Sequence, residues 1–402
     1  MSDVEREPLQ GRRLAIRAAL GAISTTGASM LPVALIGALV VQLRGDIDLT
    51  TVRLGATIAG FSGVAALSSI PAGRLVDRLG WVRGIWLAAV LLALPLLAVG
   101  TLARTAGQVF GLFLIAGLGN AVAQPSANLA IIGGVHRDRQ GFAFGMKQAA
   151  VPAGSVMAGF AVPLIGLTIG WRYAFIASAV LIIAIAATVP WSRRGALGRS
   201  GGAMRIRAVL GDRVLLLMAL ANYTSAMGLN SLFAFLVEAS VARGIEPATA
   251  GLLLALAGGL GAVSRIIVGW LSDRFTRTSQ GMLLETAGYA AIGAIGMFVL
   301  GRYGTTVPAI AFGLVFSAGF GFAWSGQFNL VVTRVWRTTP AAATGVAQTG
   351  LWVGGMLGPL LFGYLAANIS YTLAFFVGGG FMTLTPFCLL TARRRLIERG
   401  DG

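Results

Sequence analysis

The chain has 402 residues, of which 56% are hydrophobic and only 11% charged, with a mean hydropathy of +0.81. A soluble protein carries about 25% charged residues to solvate its surface, so a soluble globular fold is excluded and a polytopic membrane protein remains. Long unbroken apolar runs exclude a membrane β-barrel, and the formal charge of +17 sits in clusters between those runs, where it reports topology rather than nucleic-acid binding.

A membrane-crossing helix needs about 20 mostly apolar residues. Runs of that kind fall near 14–43, 50–72, 84–103, 107–134, 141–168, 170–191, 213–239, 248–271, 279–301, 306–332, 341–367 and 370–392. The prediction is an all-α membrane protein of twelve transmembrane helices. The first run is too long for a signal peptide and lacks a small-residue cleavage site, so it is read as an uncleaved span. The 57 glycines, about twice the usual ~7% share, let helices approach closely in lipid.

Twelve crossings return both ends of the chain to one side. Basic residues in the loops number 22 on that side and 6 on the other, the 6 being Arg44, Arg53, Arg104, Arg172, Arg243 and Arg302. Cytoplasmic loops collect positive charge, so both termini are expected on the cytoplasmic face of a bacterial inner membrane. Arg17, Lys147 and Arg265 stand inside apolar runs.

The polar stretch 192–212 is expected to be a cytoplasmic linker between two six-helix bundles, 1–191 and 213–402. Internal similarity supports the division. Gly73, Asp77 and Arg78 after span two recur as Gly269, Asp273 and Arg274 after span eight, while Gly145, Gln148 and Gly154 in span five recur as Gly345, Gln348 and Gly354 in span eleven.

The segment Gly73-Arg-Leu-Val-Asp77-Arg78-Leu-Gly80 resembles the loop signature of the major facilitator superfamily, and Gly269-Trp-Leu-Ser-Asp273-Arg274 resembles its weaker second copy. The resemblance covers nearly the whole chain. It implies two pseudo-symmetric bundles that rock about a central cavity, giving alternating access to each side, with Gly73, Asp77, Arg78, Gly269, Asp273 and Arg274 gating the cytoplasmic side. The signature is incomplete, since Trp81 and Val82 stand where two basic residues usually follow Gly80. Two marks of the family's proton-coupled drug antiporters are also altered. Phe113 replaces their arginine before Gly117-Leu-Gly119, and their Gly-Pro motif in span five reads Val151-Pro152-Ala153-Gly154.

Polar side chains inside spans mark faces that meet protein or a water-filled cavity. Asn120, Gln124 and Asn128 recur every four residues on span four, which places them on one stripe. Span seven offers Asn222, Tyr223 and Asn230, span ten Trp324, Gln327 and Asn329, and span eleven Gln348 and Trp352. The resemblance implies that spans one, four, seven and ten line the cavity. Ordinary interhelical hydrogen bonding is the other reading of any single amide.

Lys147 is the only lysine beside 30 arginines. It either lines the cavity or snorkels to the nearby cytoplasmic end of span five. Arg265 lies eight residues, about 12 Å of helix, before Asp273 and therefore within the bilayer. An arginine four residues before Gly269 is similar to the pattern of monocarboxylate and oxalate-type anion transporters, which implies contact with a substrate carboxylate. Spans five and eight are neighbours in that family, so the two cations are expected to face each other and form an anion site. Glu238 and Glu285 are open to a structural pairing or a cavity role.

The predicted function is secondary transport, by symport or exchange, of a small organic anion, with a carboxylate as the leading substrate class. Lys147 and Arg265 neutralise it; Asn120, Gln124, Asn128, Asn222, Gln327 and Gln348 orient it; Tyr223, Trp324 and Trp352 shape its cavity. A coupled proton or counter-anion is the expected co-substrate, the bilayer the expected environment and a monomer the expected unit. The alternatives are an exporter of drugs or metabolites and a transporter of a neutral solute. The sequence offers no nucleotide-binding loop, metal cluster or catalytic constellation, so no enzyme activity, metal, cofactor or nucleic-acid partner is expected.

Overall fold

The computed structural model describes residues 3–135, 137–189, 211–275, 278–336 and 340–400. The side chains of Asp273 and Arg274, and the expected linker 192–212 apart from its last two residues, lie outside the described part.

The chain is all-helical. Its spans are α1 (Asp3–Ala38), α2 (Thr51–Leu79), α3 (Trp81–Thr101), α4 (Ala106–Gly134), α5 (Arg137–Ala161) and α6 (Trp171–Ala187). They are followed by α7 (Arg213–Ala242), α8 (Pro247–Phe275), α9 (Ser279–Tyr303), α10 (from Val307 to Val335, in pieces), α11 (Pro340–Asn368) and α12 (Tyr371–Glu398). Eleven stretches are long and apolar enough to cross a membrane, and one of them, Ala143–Ala187, holds 45 residues. As a single helix it would measure about 68 Å, more than twice the ~30 Å hydrocarbon core. The chain instead leaves α5 through wider π-type turns over Val162–Gly170, and Gly170 at φ +108° turns it into α6. That makes twelve crossings, as expected.

Side-chain caps start the helices that follow short loops. Thr105 and Gln108 form a reciprocal capping box at α4, while Thr50, Asp212, Thr278 and Ser370 accept the first free N–H groups of α2, α7, α9 and α12. Each cap satisfies a donor that has no helical partner. α10 forms the span expected near 306–332 but is irregular: Val307–Leu314 passes into π-type turns over Val315–Phe320, a short piece Gly321–Ala323, a break at Trp324 and a last piece Ser325–Val335.

The packing repeats itself. α1 lies against α5, and α3 against α4 and α6; correspondingly α7 lies against α11, and α9 against α10 and α12, while α1 also meets α4 and α7 also meets α12. Three pairs join the two sets of six: α1 with α7, α2 with α11, and α5 with α8.

Glycines make the closest of these contacts. A Cβ added at Gly37 would stand 2.6 Å from the Ala234 carbonyl oxygen, one at Gly55 2.6 Å from that of Pro359, and one at Gly159 2.4 Å from that of Gly251. All three contacts lie toward the side away from the termini. On the terminal side, a Cβ added at Gly73, Gly145, Gly269 or Gly345 would meet nothing within 4 Å among the described residues. The two sets of helices therefore meet closely on the far side.

Three arginines of the far side bond neighbouring groups. Arg243 donates to the carbonyls of Leu300 (2.6 Å), Gly304 (3.0 Å) and Gly301 (3.2 Å), capping the end of α9. Arg172 donates to the Ala103 carbonyl (3.0 Å) beyond α3, and Arg53 pairs with Asp48 (2.5 Å).

Candidate functional site

Arg265 meets α5 at the α5–α8 seam, at the residue that follows Lys147. Gly251, Gly258 and Arg265 are seven residues apart on α8 and share one face. A Cβ at Gly251 would stand 2.7 Å from the Gly159 carbonyl oxygen, and one at Gly258 2.6 Å from that of Pro152. Because the helices run antiparallel, the next contact along this face brings Arg265 to Gln148, whose carbonyl accepts from Nη1. Arg265 Nε donates to the Phe322 carbonyl of α10 (3.2 Å), and its guanidinium lies 4.9 Å from the centroid of the Phe322 ring.

Lys147, the neighbour of Gln148, is 5% exposed and does not snorkel; its Nζ donates to Asn128 Oδ1 of α4 at 2.7 Å. Among the described residues neither Lys147 nor Arg265 forms an ion pair with a carboxylate. Two cations without an acid counter-charge favour an anion between them.

The other half holds an uncharged counterpart. Gln348 of α11 donates to Asn329 Oδ1 of α10 at 3.0 Å, across the same separation of 19 residues that divides Asn128 from Lys147. One half thus holds an amide–ammonium pair and the other an amide–amide pair, although the repeat aligns Gln348 with Gln148 rather than with Lys147. Trp352, half-buried, follows one turn after Gln348.

Other polar residues have partners within their own bundle. Gln124 donates to Ser29 Oγ of α1 (3.4 Å) and Asn222 to the Ala347 carbonyl of α11 (2.9 Å). Gln327 donates to Glu285 Oε2 of α9 (2.7 Å). Tyr223 sets its ring edge-on to Phe381 of α12 at 6.3 Å, and Trp324 is buried edge-on to Phe328 at 5.4 Å. Asn120 is fully buried, with no hydrogen-bond partner for its amide among the described residues.

At the terminal-side signature, Asp77 is half-buried, Arg78 is exposed, and a Cβ added at Gly73 or Gly269 would meet nothing within 4 Å among the described residues. On the closed side stands a cluster that sequence reasoning did not assemble. Glu238 of α7, 1% exposed, accepts from Arg44 of the short helix Val40–Ile47 and from the Thr51 hydroxyl, and the Tyr371 hydroxyl reaches both Glu238 and Thr51. The only hint in the sequence was that Arg44 and Glu238 belong to the same side of the bilayer.

The sequence pattern of one family, described as the Major Facilitator Superfamily, matches residues 18–340. The chain is 25% identical over 381 residues to a probable sulfoacetate transporter of Cupriavidus necator, covering 85% of each chain. It is 27% identical over 362 residues to a probable nitrate/nitrite transporter of Mycobacterium tuberculosis, covering 84% of this chain and 86% of the relative. Its fold is similar to the crystal structure of a bacterial homologue of the human lysosomal transporter Spinster, in an inward-facing and unoccupied conformation, with a TM-score of 0.72 at 18% identity over 95% of this chain and 96% of the other.

Proposed function

From the premise that this chain belongs to the major facilitator superfamily, whose members are transporters rather than enzymes, we propose that it is a secondary transporter of a small organic anion, with a carboxylate as the leading chemistry. The observation that carries this reading is that Lys147 is buried and Arg265 bonds the carbonyl of the next residue, Gln148, with no acid paired to either cation among the described residues. The anion binds between Lys147 Nζ and the guanidinium of Arg265. Asn128, Gln124 and the Asn329–Gln348 pair contact its polar groups, and Trp352 bounds the cavity. Asn120, Asn222, Tyr223, Trp324 and Gln327 support that cavity from within each bundle. The names of two relatives, for sulfoacetate and for nitrate or nitrite, both denote anions.

Opening toward the termini gives the site access to the cytoplasm, given the loop-charge bias. Glu238 and Glu285 are engaged with Arg44 and Gln327, so coupling runs through a proton carried on the substrate or through exchange for a second anion. Terminal-side closure brings the Asp77–Arg78 and Asp273–Arg274 loops toward the opposite bundle. The chain works as a monomer.

The test is a thermal-shift screen of the purified protein against small carboxylates, sulfonates, nitrate, neutral sugars and lipophilic cations. A ligand at 100 times its dissociation constant stabilises by about 2.7 kcal/mol. Stabilisation by an anion that disappears in Arg265→Ala and in Lys147→Ala is the expected result. Stabilisation only by cations or sugars, unchanged in those variants, refutes the reading.

A further inference from the structure

Arg265 reaches across to α5 and binds a backbone carbonyl there, that of Gln148. Inside a regular helix a carbonyl is already bonded to the N–H four residues on. Four residues after Gln148 stands Pro152, inside α5, which has no N–H to give. The Gln148 carbonyl is therefore released from the helix ladder, and in a membrane interior such a group must find another donor. Arg265 supplies it. Its second acceptor, the Phe322 carbonyl, lies beside another irregularity, two residues before the break at Trp324, and also accepts from Ser325 Oγ at 3.3 Å.

The geometry points to Pro152 as a positioning residue for the anion site: by freeing the Gln148 carbonyl it anchors the Arg265 guanidinium on α5, at the residue that follows Lys147. This rests on the anion reading above and adds how the second cation is held. The α8 face brings Arg265 to the seam, and Gly258, whose added Cβ would meet the Pro152 carbonyl at 2.6 Å, lets the two helices come close enough for the bond. Nε and Nη1 are engaged by the two carbonyls, which leaves the Nη2 edge to a ligand. A guanidinium fixed by two carbonyls binds a small anion without first losing its side-chain freedom, which is how preorganisation raises affinity. It also ties the site to the rocking motion, since the anchor joins a helix of one half to a helix of the other.

Pro152→Ala tests this. The variant restores an N–H that bonds the Gln148 carbonyl within α5, so Arg265 loses its exclusive acceptor while keeping its charge. The first readout needs no ligand: a double-mutant cycle of melting temperatures in detergent. Arg265→Ala is expected to lower the melting temperature by about 2–4 °C with Pro152 present, because the carbonyl is orphaned, and by less than half as much in the Pro152→Ala background. Arg265→Lys, which keeps the charge and loses the planar fork, replaces Arg265→Ala in the cycle if that variant cannot be purified.

The second readout is binding of acetate, sulfoacetate and nitrate. Pro152→Ala is expected to weaken the anion that binds best by about tenfold, with no fall in the ligand-free melting temperature. Additive melting temperatures overturn the anchoring, and coupled temperatures with unchanged anion affinity overturn the positioning role. Anion binding that survives Arg265→Ala unaltered refutes the anion reading itself, and the ligand-free cycle then still reports whether the anchor exists.

Discussion

Removing Arg44 should open the side that this structure closes. Glu238 is 1% exposed whereas the Arg44 side chain is 43% exposed, so their ion pair is half-buried. Truncating one partner of a fully buried pair costs about 3–5 kcal/mol because the other charge is left uncompensated, while exposed pairs contribute about 0–1 kcal/mol. A value near 2 kcal/mol follows for Arg44→Ala, since the Thr51 and Tyr371 hydroxyls still face the carboxylate.

The cost falls on the conformation in which the bundles meet on this side, because Arg44 and Thr51 belong to one half and Glu238 and Tyr371 to the other. About 2 kcal/mol shifts the equilibrium between the two access states by roughly thirtyfold. Spin labels on the exposed far-side residues Gly45 and Glu246, with the single cysteine Cys388 replaced by serine, report the separation of the halves by electron–electron resonance distance measurement. The long-distance population should rise strongly in Arg44→Ala and less in Glu238→Gln, which removes the buried charge but keeps a hydrogen-bonding amide. An unchanged distance distribution in Arg44→Ala would refute the cluster as a latch.

Lys147→Gln turns the Asn128–Lys147 pair into a copy of the Asn329–Gln348 pair. A charge-assisted hydrogen bond contributes about 1.5–3 kcal/mol, so anion affinity should fall by roughly 10–150-fold in calorimetric titration while the protein still folds. Gly258→Leu places a side chain against the Pro152 carbonyl and Val156; separation of α5 from α8 should abolish transport in liposomes and lower the melting temperature. Arg243→Ala leaves three carbonyls at the end of α9 without their cap, and unfolding in detergent should occur several degrees lower, with anion affinity unaltered.

Asp212 carries a pH prediction. Burial alone raises its pKa, but Trp336 Nε1 (2.9 Å), the Val214 N–H (2.8 Å) and Arg399 (3.0 Å) outweigh burial and hold the carboxyl below its ordinary value. A group depressed in the folded state stabilises at pH values above its unfolded pKa, about 3.9, and loses that contribution as pH falls through the folded value. The melting-temperature gap between the wild type and Asp212→Asn should therefore be full at pH 7 and close below about pH 4.

Composition and hydrophobic run length alone determined twelve crossings, because a span must be apolar for about 20 residues wherever it packs. The boundary between α5 and α6 was legible too: the runs 141–168 and 170–191 part where Gly170 turns the chain, within one apolar stretch of 45 residues. The two cations inside apolar runs were equally legible, since charge in lipid stands out against its surroundings. Which polar residues meet was not legible. Asn222, Gln327 and Asn128 look alike on a helical wheel, yet the first bonds α11, the second α9 and the third Lys147. Their partners are set by how the helices rotate and cross, a property of pairs of surfaces distant in sequence.

The same holds for the far-side cluster, which joins Arg44 to Glu238 across 194 positions. Pro152 shows the division most plainly. The sequence by itself dictated that the Gln148 carbonyl loses its helix donor, because proline has no N–H. Only the tertiary structure decided that Arg265 takes it up, because that depends on the close approach at Gly258 that brings α8 against α5.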